Sequence, residues 1–196
     1  MKFDRKILPD TSYSPKFITK KRLHEDEINF DRLRSYRLDR VKKELSKRDI
    51  GACILFDPVN VRYALDTTNM SIYNMHNLTR YCFIPVSGPV ILYEYFNCEH
   101  LAKHLTLIDE IRQGITWDYF SVGDQVENQL KKWTGEVENL MNSHCGKNKR
   151  LAVDVCNGPG VSALNKIGLE IIEGKEILEQ ARKIKSKEEI QCMKAS

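Results

Sequence analysis

Short apolar runs alternate with segments of helical period along most of this 196-residue chain, and this alternation limits the fold classes that it can adopt. The run ACILF at 52–56 is nearly continuous in apolar residues, which is typical of a buried strand. The runs RYCFIPV and VILYEY are rich in β-branched and aromatic residues and predict a β-hairpin over 80–95. Further strands are predicted over 111–120, 150–155 and 169–172.

Helical segments lie between these predicted strands. A basic helix begins at Asp31 and carries Leu33, Val41 and Leu45 on one face. The stretch DPVN at 57–60 is interpreted as a break after the first strand. Further helices are predicted over 97–108, 123–144, 161–167 and 175–184. Strands that alternate with helices indicate an α/β fold, here a mixed sheet of about six strands flanked by helices.

The charge and the apolar pattern argue against nucleic-acid and membrane partners. The chain has 31 basic and 27 acidic residues, mostly interspersed, with a formal net charge of +4. No apolar run approaches the roughly 18 residues that a membrane span requires, and the first ten residues lack the apolar region of a signal peptide. The six cysteines show no C-x-x-C pattern, which is typical of reduced thiols. We therefore expect a cytoplasmic protein.

Local motifs do not assemble a complete active site. There is no G-x-S-x-G motif, and NGPG at 157–160 lacks the spacing of a phosphate-binding loop, so it is interpreted as a turn. No two aspartates stand two positions apart, the arrangement expected of ligands in a two-metal centre. Cys98, His100 and His104 have a spacing that suits zinc on a helix. Without a further ligand group they are interpreted as surface residues.

The stretch DTTNMSIYNMHNLTRY at 66–81 is polar and aromatic where a junction before a strand is expected. It offers hydrogen-bonding groups from Asn69, Tyr73, Asn74, His76 and Arg80, without a regular apolar period. The pattern alone leaves two interpretations open, a hydrated loop and a binding loop, since loops carry binding residues disproportionately often.

The stretch ARKIKSKEEIQCMKAS at 181–196 contains a helix start. Ser186 followed three residues later by Glu189 is a capping box, in which each side chain satisfies a backbone N–H group of the other residue. Ile190 and Met193 begin an apolar stripe at helical spacing. A helix this short is marginal without packing partners, so the stretch is interpreted as the opening of a helix rather than the close of a protein.

Two of these stretches resemble motifs of a known superfamily. DPVNVRYALD at 57–66 resembles the P-x-N-hydrophobic-R-Y-L segment of the creatinase/prolidase/Xaa-Pro aminopeptidase (M24 metallopeptidase) superfamily, and 181–196 resembles its R-x-I-K-S-x-E-E-I interdomain junction. The resemblance implies a creatinase N-terminal domain-like fold with a ribonuclease H-like motif. It implies an N-terminal arm (1–30), a creatinase-type N-terminal domain (31–185) and, over 186–196, the first helix of a C-terminal pita-bread catalytic domain.

The resemblance also implies an activity for a longer parent protein. The domain would cap the substrate and pair subunits in a metal-dependent enzyme whose two divalent metal ions are held by the C-terminal domain, with none in this chain. Three stretches, 66–80, 150–155 and 171–190, are similar to the dimethylsulfoniopropionate lyase branch. Asp66, where peptidase members usually have glycine, favours that branch over an Xaa-Pro peptidase-like hydrolase. The alternative is a non-catalytic binding module of the same fold.

The superfamily resemblance gives the segment 66–81 a role. The loop is expected to reach the metal site of a neighbouring subunit, with the substrate-binding residues Asn69, Tyr73, Asn74, His76 and Arg80. The implied partners are the C-terminal catalytic domain, a second copy in a homodimer and a small-molecule or dipeptide substrate. A structural alternative is that Arg80 begins the hairpin and pairs with a nearby carboxylate.

Overall fold

The structure is a computed structural model that describes residues 28–195, so the predicted arm over 1–30 lies outside it except for residues 28–30. The described residues divide into two compact units, residues 34–184 and residues 28–33 with 185–195. The strands are β1 (Ala52–Leu55), β2 (Tyr81–Pro85), β3 (Ile91–Glu94), β4 (Glu110–Gln113), β5 (Arg150–Val153) and β6 (Glu170–Glu173). The helices are α1 (Phe30–Lys47), α2 (Pro58–Leu65), α3 (Ser71–His76), α4 (Tyr119–Val122), α5 (Val126–His144), α6 (Gly158–Lys166), α7 (Gly174–Lys183) and α8 (Lys187–Ala195).

The strands form one mixed sheet in the order β4-β3-β2-β1-β5-β6. β1 runs antiparallel to β2 and parallel to β5. The pair β2–β3 is antiparallel, and the outer pairs β3–β4 and β5–β6 are parallel. Helices cover both faces of this sheet, so the predicted α/β fold with a mixed six-stranded sheet is confirmed.

The central strand β1 is buried on both faces of the sheet. Successive side chains of a strand point to opposite sides, and all four residues of β1 are buried. Cys53 and Leu55 join a core formed with α1, α2 and α7. Ala52 and Ile54 join a second core formed with α5 and α6. The near-continuous apolar run that predicted this strand therefore reflects its place in the middle of the sheet.

Helix α1 uses part of its positive charge to cap α7. Arg40 donates from Nε to the carbonyl oxygen of Ala181 at 3.1 Å and from Nη2 to that of Gln180 at 3.0 Å. These carbonyls belong to the last turn of α7, where no intrahelical donor is available. Arg48, which directly follows the helix, pairs with Glu44 of α1. The basic character of this helix thus has a structural explanation within the domain.

A buried carboxylate fastens the end of β5 to the connection between β1 and α2. Asp154 accepts hydrogen bonds from the backbone N–H groups of Phe56 at 2.8 Å, Asp57 at 3.2 Å and Val155 at 2.7 Å. It accepts a fourth from Nδ2 of Asn60 at 2.9 Å. Burial raises the pKa of this carboxyl, and the four hydrogen bonds oppose that effect.

Asn60 extends this network to α7. Arg182 donates from Nη2 to Oδ1 of Asn60 at 2.6 Å. Its guanidinium also lies over the ring of Tyr63, 4.9 Å from the centroid. Asn60 and Tyr63 belong to the first superfamily-like stretch and Arg182 to the second, so the two stretches meet in the fold.

The stretch 57–60 does end the first strand, and a helix that the sequence pattern did not predict begins there. Asp57 accepts a hydrogen bond from the backbone N–H of Val59 at 2.7 Å and Pro58 stands in the first turn, two signals of a helix start. The helix ends at Asp66, which has a left-handed backbone with φ of 57°. Glycine adopts this conformation most easily, and here the Asp66 side chain is held by Nε of Arg34 at 2.9 Å.

The prediction of a helix over 97–108 is wrong, since only a 3₁₀ turn at Glu99–Leu101 forms. The chain continues in successive three-residue turns, with N–H groups of Leu105 and Ile108 donating to the carbonyls of Ala102 and Leu105. A spacing of three places Ala102, Leu105 and Ile108 against the core without a helix. Likewise, the strand predicted over 111–120 ends at Gln113.

The smaller unit contains the predicted capping box. The N–H of Ser186 donates to Oε2 of Glu189 at 3.0 Å, and the N–H of Glu189 donates to Oγ of Ser186 at 3.1 Å. Helix α8 follows, with Ile190 and Met193 exposed. Among residues 28–195, no helix is both long and apolar enough to cross a membrane.

We predict that Asp154→Asn lowers the free energy of unfolding by about 2–4 kcal/mol, because the new amide group would face N–H donors where Oδ2 now accepts two hydrogen bonds. Denaturant unfolding followed by tryptophan fluorescence measures the change. Asp124→Asn is the matched control, since Asp124 is exposed, and it should change stability by less than about 0.5 kcal/mol. Equal stability of the two variants would contradict the role given to Asp154.

Candidate functional site

The segment 66–80 connects α2 to β2 at one edge of the sheet. The strand directions place the carboxyl ends of β1, β3, β4, β5 and β6 at this edge, together with the start of β2. Residues that follow the strands can therefore meet the segment. Within it, helix α3 is only six residues long.

Arg80 and Glu94 form a buried ion pair beneath this segment. Nε of Arg80 donates to Oε2 of Glu94 at 2.8 Å, and Nη2 donates to Oγ1 of Thr67 at 2.9 Å. Arg80 is 2% exposed and Glu94 is 0% exposed. Arg80 thus pairs with a carboxylate at the start of the hairpin, the arrangement that the structural alternative predicted.

Asn69 and Asn74 are buried in the same network. Asn69 donates from Nδ2 to Oε1 of Glu94 at 3.0 Å, and its carbonyl oxygen accepts from Nδ2 of Asn74 at 2.5 Å. Oδ1 of Asn74 accepts from the hydroxyl of Tyr95 at 2.7 Å. Burial, with smaller effects of Tyr73 and Glu94, raises the pKa of Tyr95 to about 12, so this hydroxyl keeps its proton at neutral pH.

Further hydrogen bonds tie the end of the segment to α4. Asn77 donates from Nδ2 to Oγ of Ser121 at 2.9 Å and to the hydroxyl of Tyr73 at 3.2 Å. The N–H of Leu78 donates to Asp118 at 2.9 Å, just before α4 begins. The segment is therefore anchored at both ends of α3 and is not a hydrated loop.

The outward side of α3 is exposed and largely apolar. Ile72 is 78% exposed and Met75 is 71% exposed. Tyr73 is 42% exposed, with its ring centroid 5.9 Å from that of Tyr95, and His76 is exposed beside it. We call Ile72, Tyr73, Met75 and His76 the α3 surface. Its side chains could contact an apolar or cationic group and exclude water from it.

The five residues predicted from the sequence thus fall into two groups. Tyr73 and His76 lie on the α3 surface, whereas Asn69, Asn74 and Arg80 lie beneath it. The sequence reasoning missed Glu94, although a charged residue inside the apolar run VILYEY signals a buried partner. It also missed Tyr119 and Phe120, which are exposed on α4 and had been included in a predicted strand.

Among residues 28–195, no group of three His, Cys, Asp or Glu side chains could hold a metal ion. His100 and His104 are exposed, and Cys98 is half-buried. Nδ1 of His100 lies 3.0 Å from the carbonyl oxygen of Asn97, within its own turn. The described residues therefore do not fit the two metal ions that the superfamily resemblance implies.

Two curated proteins are similar to the chain over most of its length. It is 37% identical over 168 residues to the dimethylsulfoniopropionate lyase DddP of Roseovarius nubinhibens, a match that covers 86% of the chain and 38% of the relative. It is 34% identical over 164 residues to the lyase of the same name from Roseobacter denitrificans, a match that covers 84% of the chain and 37% of that relative. The chain thus spans less than two fifths of each relative. No family model matches it.

Solved peptidase structures share the fold at low sequence identity. A dipeptidase from Pyrococcus horikoshii superposes with a TM-score of 0.56 at 18% identity, covering 80% of this chain and 39% of that one. An Xaa-Pro aminopeptidase from Streptococcus pyogenes superposes with a TM-score of 0.53 at 14% identity, covering 76% of this chain and 98% of that one.

The curated relatives, the shared fold and the two motif-like stretches agree. The chain is similar in sequence to the dimethylsulfoniopropionate lyases and has the fold of solved dipeptidase and Xaa-Pro aminopeptidase structures, in agreement with its resemblance to the creatinase/prolidase/Xaa-Pro aminopeptidase (M24) superfamily.

Proposed function

We propose that the chain is the N-terminal, substrate-capping and dimerisation domain of a longer, metal-dependent enzyme of the dimethylsulfoniopropionate lyase type. The observation that carries the proposal is the α3 surface, an exposed apolar helix face anchored from below by buried hydrogen bonds. The similarity to the two lyases supplies the substrate class. The proposed domains are an arm (1–30), this domain (31–185) and the start of the catalytic domain (186–196).

We assign different roles to this domain and to the proposed C-terminal domain. A metal pair would supply a Lewis acid, and its ligands would come from the C-terminal domain, since residues 28–195 offer no such group. This domain would bind and orient the substrate and keep water away from it. Its contacts are made in both the ground and the transition state, so their loss should raise KM more than it lowers kcat.

The side chains of the α3 surface suit a small sulfonium acid. The ring of Tyr73 can face the sulfonium cation, an interaction worth about 0.5–2 kcal/mol. His76 can donate a hydrogen bond from a ring N–H to the substrate carboxylate. Ile72 and Met75 supply the apolar surface that excludes water. We propose that Asn69, Asn74 and Arg80 hold α3 in place.

We predict for the full-length enzyme that Tyr73→Ala lowers kcat/KM for dimethylsulfoniopropionate by about 1–3 kcal/mol in transition-state terms, mainly through KM. Tyr73→Phe should keep most of the activity, because the ring makes the proposed contact and Asn77 retains Ser121 as a partner. His76→Ala should raise KM as well. Steady-state kinetics beside thermal melts measure these effects.

His104→Ala is the matched control, since His104 is exposed and lies outside the α3 surface. Wild-type kinetics for both Tyr73→Ala and His76→Ala would refute substrate capping by α3. Activity on Xaa-Pro dipeptides alone would show that the enzyme is a peptidase and not a lyase. No activity on either substrate class, with substrate binding retained, would favour the non-catalytic binding module.

A separate prediction concerns assembly. We expect a cytoplasmic homodimer in which the arm (1–30) lies across the partner subunit, because this segment is polar, contains Pro9 and Pro15 and shows no sustained period. Deleting residues 1–30 should increase the dimer dissociation constant at least about tenfold, since interface contacts would be lost. Light scattering over a dilution series measures it. An unchanged dimer would exclude the arm, and a monomeric full-length enzyme would exclude pairing altogether.

A further inference from the structure

We propose that Glu94 is the positioning residue for α3: its buried carboxylate fixes the helix that, in the proposed function on which this inference rests, contacts the substrate. Glu94 stands at the end of β3, where it is paired with Gln113 of β4. It touches no residue of the α3 surface directly in the described contacts, so it would act through others.

The carboxylate of Glu94 gathers three hydrogen-bond donors from two parts of the chain. Oε2 accepts from Nε of Arg80 at 2.8 Å. Oε1 accepts from Nδ2 of Asn69 at 3.0 Å and from the N–H of Tyr95 at 2.9 Å. A charge with 0% exposure is costly unless it is paired and hydrogen-bonded, so these three contacts are strongly favoured over any looser arrangement.

Asn69 passes this constraint to α3. Asn69 stands two residues before the helix. Its backbone carbonyl oxygen accepts the hydrogen bond from the side chain of Asn74, in the middle of the helix. Asn74 in turn accepts from the hydroxyl of Tyr95, which follows Glu94 in the chain. The hydrogen bonds thus form a closed circuit through Glu94, Asn69, Asn74 and Tyr95.

Beyond these hydrogen bonds, helix α3 is held at its carboxyl end by those of Asn77 and Leu78. It has six residues, and its first turn receives no hydrogen bond from the side chain of the capping residue Met70. Helices this short are unstable on their own in water. Its outward residues Ile72 and Met75 are exposed, so burial of apolar side chains contributes little on that side. The buried circuit therefore supports the start and the inner side of α3, where apolar burial and a side-chain cap contribute little.

The test uses the full-length enzyme and two variants. Asn69→Ala removes the hydrogen bond from Nδ2 of Asn69 to Glu94 and so separates Glu94 from the segment that holds α3. It leaves the Arg80–Glu94 pair and the backbone carbonyl that accepts from Asn74 in place. Glu94→Gln keeps the shape of the side chain but turns an N–H₂ group toward a neighbouring donor. Glu136→Gln is the matched control, because Glu136 is also paired with an arginine, Arg112, and lies outside the circuit.

Two measurements are made on each variant, amide hydrogen exchange over residues 69–77 and steady-state kinetics with dimethylsulfoniopropionate. We expect exchange in this segment to speed up at least about tenfold in Asn69→Ala and Glu94→Gln, with exchange in β1 unchanged and no effect of Glu136→Gln. We expect KM to rise at least about tenfold and kcat to stay within about threefold.

The outcomes separate the two proposals. Unchanged exchange over 69–77 in Asn69→Ala overturns the positioning role, and this holds even where Glu94→Gln does not fold. Faster exchange with an unchanged KM shows that Glu94 supports α3 but overturns the contact of α3 with substrate, and with it the proposed function. A fall in kcat with unchanged KM overturns positioning through binding.

Discussion

A carboxylate buried at the end of β3 must be paired with positive charge and hydrogen-bonded, and the way in which the chain satisfies Glu94 determines the structure of this edge of the sheet. Arg80 supplies the charge from the start of β2, and Asn69 supplies a donor from the segment before α3. Because both donors belong to the same connection, the ion pair folds residues 66–80 back onto the sheet. A short helix with an exposed apolar face results.

A second buried carboxylate organises the neighbouring part of the same edge. Asp154 at the end of β5 accepts four hydrogen bonds, one of them from Asn60 on α2. Asn60 in turn accepts a hydrogen bond from Arg182 on α7. The polar core of the edge thus rests on two acidic residues, one beneath α2 and one beneath α3. Apolar packing on both faces of the sheet supports the strands that carry them.

The elements that the sequence predicted correctly are those whose apolar pattern matches their burial. β1, the hairpin β2–β3 and α5 are examples, and the capping box at Ser186 and Glu189 predicted its helix start from local chemistry. The helix α2 was missed because its cap and proline follow directly after an apolar strand. The charged residue in VILYEY signals that Glu94 has a buried partner, but its pairing with Arg80 is a contact across 14 residues that no local pattern specifies. For the same reason the residues beneath α3 could not be separated from those on its surface.

We propose above all that α3 of one subunit acts at the metal site of the other. Mixed dimers test it directly: a subunit carrying Tyr73→Ala is co-expressed with a subunit whose metal ligands have been removed, and the purified heterodimer is assayed with dimethylsulfoniopropionate. The intact metal site then lies in the Tyr73→Ala subunit and receives Tyr73 only from its partner. The account predicts a KM equal to that of the wild-type enzyme, with about half its activity per dimer. A KM equal to that of the Tyr73→Ala homodimer would contradict it.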